Sequence, residues 1–405
     1  MFILALTIQV ILPQKSNYSN FMLKTTLKKI ILSSLFCVGI MSSAVAQTDT
    51  TKKQNKDEDD ESAADPAGGG TDLSQFQGEM QEATGTKRYC TSKIFGISPT
   101  KLISIGYDYQ LGYKMTTRDV VDKNTNINEQ TENVSRTHGL RFLANFPVIS
   151  NNKITVNIGA SYMESHYAFE NKSITATSNK LANSLQNNAL RSTAINFTVF
   201  KPLNIKNFLL MNTQHEVNGD YDLTEWQPLK YMKHSATLAY GWKKSDRLQY
   251  GFGVARTYRI GEVNYIPVIL YNFTAENRKW GIEAFFPARV HYRRSFSPRS
   301  ILLLGYELEG NSYRLQNRQQ EFDRNGVINQ DVELRRSELR MRAVYERQLS
   351  GFIWLSVQAG YRYNARFQVD NGEFFRGFLG DQLYLMKNNL TNPLYFNVSI
   401  NLVSP

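Results

Sequence analysis

Near its C-terminus the chain alternates without a break: Leu394, Phe396, Val398, Ile400 and Leu402 are interleaved with Tyr395, Asn397, Ser399 and Asn401. Successive side chains of a β-strand point to opposite faces, so this pattern specifies a strand with one apolar and one polar face. The pattern recurs in Ile103, Ile105, Tyr107, Tyr109, Leu111 and Tyr113, in Leu140, Phe142, Ala144 and Phe146, and in Ile154, Val156, Ile158, Ala160 and Tyr162. It returns in Ala236 to Trp242, Leu248 to Val254, Trp280 to Tyr292, Leu302 to Leu308 and Ile353 to Tyr363, with less regular segments at 189–200, 207–217, 263–273 and 334–347. A chain built of such strands is a sandwich or a barrel, and its apolar faces point either into a core or out into lipid.

Tyrosine discriminates between the two. The apolar faces carry Tyr107, Tyr109, Tyr113, Tyr240, Tyr250, Tyr292, Tyr306, Tyr345, Tyr361 and Tyr363, together with Trp242 and Trp280. A closed soluble core would have to supply a partner for every buried hydroxyl and indole. At membrane interfaces those polar tips meet water and headgroups. The opposite faces hold Gly, Ser, Thr, Asn and charges, which suit a wet or ion-paired lumen. The mean hydropathy of −0.40 excludes a bundle of apolar helical spans but not a membrane barrel, which needs apolar residues only at alternate positions.

The fold expected is therefore all-β: a transmembrane antiparallel up-and-down β-barrel. Roughly thirteen segments can be read, whereas single-chain bacterial barrels have an even number. One assignment between about 205 and 300 must be wrong, because the long stretches at 316–332 and 367–392 otherwise fall on the rim of the short turns. Twelve strands are expected, with fourteen as the alternative.

From Met22 the chain shows a basic start (Lys24, Lys28, Lys29), an apolar run from Ile30 to Ile40 and the small residues Ala44-Val45-Ala46. This is the three-part secretory signal. It divides the chain into an upstream extension at 1–21, a signal peptide at 22–46, a polar linker at 47–87 and a barrel at 88–405. The linker has too few apolar residues to offset its ordering entropy, so a disordered periplasmic tail is expected. Loss of Lys15, Lys24, Lys28 and Lys29 lowers the formal charge from +11 to +7, with basic residues scattered, which argues against a nucleic-acid partner. Cys37 and Cys90 provide neither an intramolecular disulfide in the exported chain nor a zinc-type spacing.

From about residue 99 onward the chain resembles a bacterial outer-membrane β-barrel. The segments PARVHYRRS (287–295) and LLLGYELEGNSYRL (302–315) are similar to a barrel family catalogued only as a domain of unknown function. The resemblance implies outer-membrane lipid and the barrel-assembly machinery as partners. Such barrels usually end in an aromatic residue, where this chain has Leu402-Val403-Ser404-Pro405.

Charge is concentrated on the polar faces of the C-terminal half: Arg289, His291 and Arg293, then Glu307 and Glu309, Glu338, Arg340, Arg342 and Glu346, and finally Arg362 and Arg366. One reading is a constriction whose arginines favour anions or a polar solute. The other is an ion-pair lattice that braces or plugs the barrel, and six arginines against five acids, counting Glu283, favour it. Passive or selective, porin-like passage of small solutes is the expected function, with a plugged barrel that binds through its external loops as the alternative. A lipid hydrolase is a more remote one. His215-Glu216-Val217-Asn218-Gly219 is similar to the His-x-Ser-Asn-Gly of outer-membrane phospholipases, but Val217 stands where the nucleophilic hydroxyl belongs. No catalytic residue, cofactor or metal site is expected. N-terminal sequencing of the exported protein should begin at Gln47; a start at Met22 would remove the signal peptide from this reading.

Overall fold

The computed structural model describes residues 89–120, 126–222, 224, 231–259, 261–317, 322, 331–372 and 384–404. The expected extension, signal peptide and linker lie outside the described residues. Seventeen strand segments form one sheet, antiparallel apart from a single parallel bridge between Arg314 and Gly219. They are β1 (Lys101–Gln110), β2 (Tyr113–Val120), β3 (Asn126–Asn151), β4 (Ile154–Phe169), β5 (Leu190–Pro202), β6 (Asn207–Gly219), β7 (Lys233–Ser245), β8 (Leu248–Thr257) and β9 (Asn264–Thr274), followed by β10 (Trp280–Phe286), β11 (Arg289–Ser297), β12 (Ser300–Leu315), β13 (Val332–Ser350), β14 (Ile353–Asp370), β15 (Met386–Lys387), β16 (Asn389–Leu390) and β17 (Leu394–Val403). One short helix, α1 (Lys180–Asn187), precedes β5.

Both β1 and β2 pair with β3, and β15, β16 and β17 together fill the space between β14 and the first strand, so the seventeen segments make fourteen staves. The barrel closes where β17 pairs with β1, from Lys101 opposite Val403 to Gln110 opposite Tyr395. Fourteen, not twelve, is the strand number.

The strand hidden from the sequence lies at 280–292. What reads as one alternating run is the hairpin β10–β11, with Phe285 opposite Arg289, Ala284 opposite Val290 and Ile282 opposite Tyr292. Paired residues share a face, and an odd number of residues separates Phe285 from Arg289. Even positions therefore face outward on both strands, and the period runs unbroken through the reversal. Pro287, which cannot donate to a ladder, was the only local sign of it. With this hairpin in place, the turns at 152–153, 203–206, 246–247, 275–279, 298–299 and 351–352 share one rim, and the stretches beginning at 316 and 371 leave from the other.

The apolar faces point outward. On β17, Leu394, Val398 and Ile400 are 51%, 49% and 58% exposed, while Tyr395 and Asn401 are 3% and 1% exposed. Near the short-turn rim Trp242 stacks on Tyr250, and Trp280 meets Phe273 and Tyr292, with ring centroids 5.5–6.1 Å apart. Tyr107, Tyr109, Tyr361 and Tyr363 are exposed towards the opposite side. This belt between two sets of rings is the exterior of an outer-membrane barrel.

Toward the long-loop end the alternation slips by one residue in three staves. It slips at 111–112 between β1 and β2, between Val134 and Arg136 in β3, and between Asn364 and Arg366 in β14. A bulge of this kind exchanges the two faces. Beyond it Tyr113, Met115, Val134, Phe367 and Val369 face inward and pack with Tyr167, Phe169, Tyr313, Leu315 and Leu334. Tyr113, expected on the lipid side, is buried and hydrogen bonds Thr137 at 3.1 Å. Helix α1 enters the same apolar core with Leu181, Ala182 and Leu185, and Asn179 caps it by accepting from the Ala182 amide at 3.1 Å.

The short-turn mouth is crossed by residues 89–100. The Cys90 amide donates to the Asn204 carbonyl at 2.9 Å and the Phe95 amide to that of Asp246 at 2.8 Å. Lys243 Nζ donates to Thr91 Oγ1 at 2.6 Å and to the Lys93 carbonyl at 2.9 Å. Cys90 packs against the inward-facing Phe200, Phe208 and Leu270, and burial pushes its thiol pKa up.

The two faces of β17 supply a test of orientation. Val398→Lys places a charge in lipid and is expected to cost about 2–4 kcal/mol near the bilayer midplane. Asn397→Lys faces the lumen beside Asp108, which Asn397 contacts at 2.7 Å, and should be tolerated. Heat-modifiable gel migration after refolding into vesicles compares the two.

Candidate functional site

Because lumen-facing positions recur at every second residue, the charges of adjacent staves are stacked side by side across the ladder. Glu309 lies opposite Glu338, Glu307 opposite Arg340 and Arg340 opposite Arg362. Such rows are tolerable in a narrow lumen only if each charge finds an opposite one.

It does so in three groups. Nearest the short-turn mouth, Arg293, fully buried, donates to Glu283 at 2.8 Å and to Thr274 Oγ1 at 2.7 Å. The same carboxylate oxygen accepts from the amide and hydroxyl of Ser98, both at 2.9 Å, which ties the N-terminal segment to the barrel wall. Gly281 makes the room: a Cβ there would sit 2.4 Å from Arg293 Nη2 and 2.3 Å from the Phe273 carbonyl. In the second group Arg342 pairs with Glu307 at 2.5 Å and lies 3.2 Å from His291 Nε2.

The third group is the largest. Asp108 pairs with Arg141, Arg141 donates twice to Glu309 at 2.7 and 2.9 Å, and Glu309 accepts from Arg340 at 2.8 Å. Arg340 lies 3.6 Å from Glu338, which also binds Arg336 at 2.6 Å and pairs with Arg362. The Tyr395 ring, held by Gln358 at 2.7 Å, lies 5.2 Å from the Arg340 guanidinium.

Of the eleven residues singled out in the sequence, eight fall into these groups: His291, Arg293, Glu307, Glu309, Glu338, Arg340, Arg342 and Arg362, while Glu346 pairs with Lys101 at 2.7 Å. Arg289 is exposed beside the hairpin turn and has no ion-pair partner among the described residues. Arg366 lies past the β14 bulge, on the face opposite Arg362, where it pairs with Glu262 at 2.5 Å. Three members were missed: Asp108, Arg141 and Arg336. Asp108 and Arg141 were legible by parity, since each is flanked by outward apolar residues; their charge was overlooked because the N-terminal half is otherwise sparsely charged. Helix α1 was also missed within a long polar stretch, although Asn179 as a cap and Leu181 and Leu185 one turn apart signalled it.

His215 faces outward, with its Nδ1 2.8 Å from Nδ1 of His234. Val217 provides no hydroxyl beside it. No group of three or more His, Cys, Asp or Glu with metal-site geometry occurs among the described residues.

Residues 111–402, nearly the whole barrel, match the family described as Domain of unknown function (DUF6268). The chain belongs to that family. No curated protein matches it. Among solved structures, an outer membrane channel from Pseudomonas putida F1 is similar at 11% identity and a TM-score of 0.30, covering 76% of this chain and 97% of that one. The toluene transporter TodX of Pseudomonas putida is similar at 9% and 0.29, covering 78% and 95%. The translocator domain of the autotransporter NalP from Neisseria meningitidis is similar at 9% and 0.27, covering 76% and 90%. Likenesses this distant say nothing of ligand or solute.

Glu338 is the sole carboxylate at ion-pair distance from both Arg336 and Arg362 among the described residues. Glu338→Gln leaves two buried guanidinium groups without an anion in contact and is expected to cost about 3–5 kcal/mol. Adding Arg362→Met should recover part of that loss, measured as the urea midpoint of the barrel in lipid.

Proposed function

We propose that this outer-membrane barrel is closed in its resting state and acts at its long-loop surface, not as an open passage for small solutes. The observation that carries this reading is the apolar core around α1. Its inward-facing residues come from β2, β3, β4, β5, β12, β13, β14, β15 and β16, a run of neighbouring staves, and β12 meets β6 where Arg314 pairs with Gly219, so this side of the lumen is packed with apolar side chains toward the long-loop end. The ion-pair lattice below it and residues 89–100 at the other mouth support the same reading. Paired charges of near-equal number brace the staves against one another, and Arg289 is left as the one lumen arginine of the sequence set without an ion pair at contact distance among the described residues. The partners that follow are the surrounding lipid, the assembly machinery during biogenesis and a ligand met at the long loops.

A second reading, gated passage of small anions, is favoured by the separateness of residues 89–100. They are attached to the turns by a few hydrogen bonds and are not a stave. Conductance in planar bilayers decides between the two. The full chain should give no steady current, and a stable ohmic channel would overturn the resting-closed reading. Deletion of residues 89–98 should leave the barrel silent under the first reading. Under the second it should produce channel events whose anion preference falls on Arg289→Ala.

A further inference from the structure

The chain has five histidines, and four of them form two directly opposed cross-strand pairs on the outward face: His138 opposite His166, and His215 opposite His234. The pairs differ in geometry. The rings of His138 and His166 are stacked at 14° with centroids 5.5 Å apart, so their in-plane lone pairs lie in nearly parallel planes and do not meet. His166 is also engaged by Glu164 at 3.5 Å.

His215 and His234 stand edge to face at 68°, and their Nδ1 atoms are 2.8 Å apart. Metal–imidazole bonds are about 2.0–2.1 Å long, so two nitrogens at that separation subtend an angle of about 85–90° at a shared ion. A tetrahedral zinc ion would need them about 3.3 Å apart. The bite instead suits the tetragonal geometry of copper(II) or nickel(II). The edge of Phe197, with centroids 6.2 Å apart, supports the His215 ring. Arg256 is directed to the His234 carbonyl and, at 3.3 Å, to the Tyr258 hydroxyl.

We propose that His215 and His234 form a two-imidazole site for a divalent transition metal of tetragonal preference, held through both Nδ1 atoms with water completing the coordination. In the metal-free pair one Nδ1 carries the proton that the other accepts. Binding moves that proton to Nε2 of the donor ring, so that both Nδ1 lone pairs reach the metal and no proton is released. His215 lies near the long-loop end of β6 and His234 is the second residue of β7, so the ion would pin two adjacent staves beside their 220–232 connection.

The test uses tag-free full-length protein in detergent, titrated with copper(II) and followed by calorimetry and electron paramagnetic resonance. The expected result is a saturable equivalent with a two-nitrogen signature, lost or weakened at least tenfold in His215→Gln and in His234→Gln. His138→Gln should retain it. Heat-modifiable migration verifies that each variant is folded, and the difference between wild type and variant isolates this equivalent from copper bound elsewhere. Uptake unchanged by His215→Gln, or zinc(II) bound as tightly as copper(II), would overturn the assignment.

Discussion

Lipid offers no hydrogen bonds, so every backbone amide and carbonyl within it must be satisfied by the protein itself. For this chain that requirement is met only when β17 reaches β1, a pairing between residues nearly three hundred positions apart. Until it forms, two edges stand open in a medium that cannot solvate them. The other features depend on it: the outward belt has meaning only on a closed wall, and the lumen is an interior only because the wall has no gap.

Closure then dictates what the interior can hold. An enclosed charge cannot shed its cost into water, and the arginines and carboxylates of the lumen are accordingly arranged as a chain in which Glu309 and Glu338 each serve more than one guanidinium. Arg141 and Asp108 join from the first two staves, so the lattice ties the start of the barrel to β12 and β13. Above it the bulges at 111–112, 135 and 365 turn lipid-type residues inward and supply an apolar lining for α1. The same three slips place Tyr113 inside and Arg366 on the face opposite Arg362.

The interior is thus layered: an apolar core at the long-loop end, paired charges in the middle and an N-terminal segment across the short-turn mouth. Each layer is held together by a different means. The first relies on burial of apolar surface, the second on mutual neutralisation, the third on hydrogen bonds to the backbone of the turns. Ser98 and Arg293 share Glu283, which couples the third layer to the wall.

Alternation is a local property, and together with the tyrosines and tryptophans of the apolar faces it pointed to a membrane β-barrel, to the lipid-facing side of most strands, and to Arg293, Glu307, Glu338 and Arg340 on the lumen side. It determined the direction of β17 as well. Only the tertiary structure decided the strand number, because an odd-length reversal at Pro287 preserves the parity from which strands are counted. Only it decided which charges pair, since Arg141 meets Glu309 across a register set by barrel closure and not by sequence distance. The inward turn of Tyr113 and the position of Arg366 were likewise decided there: a bulge costs one residue, changes no composition, and exchanges every face beyond it.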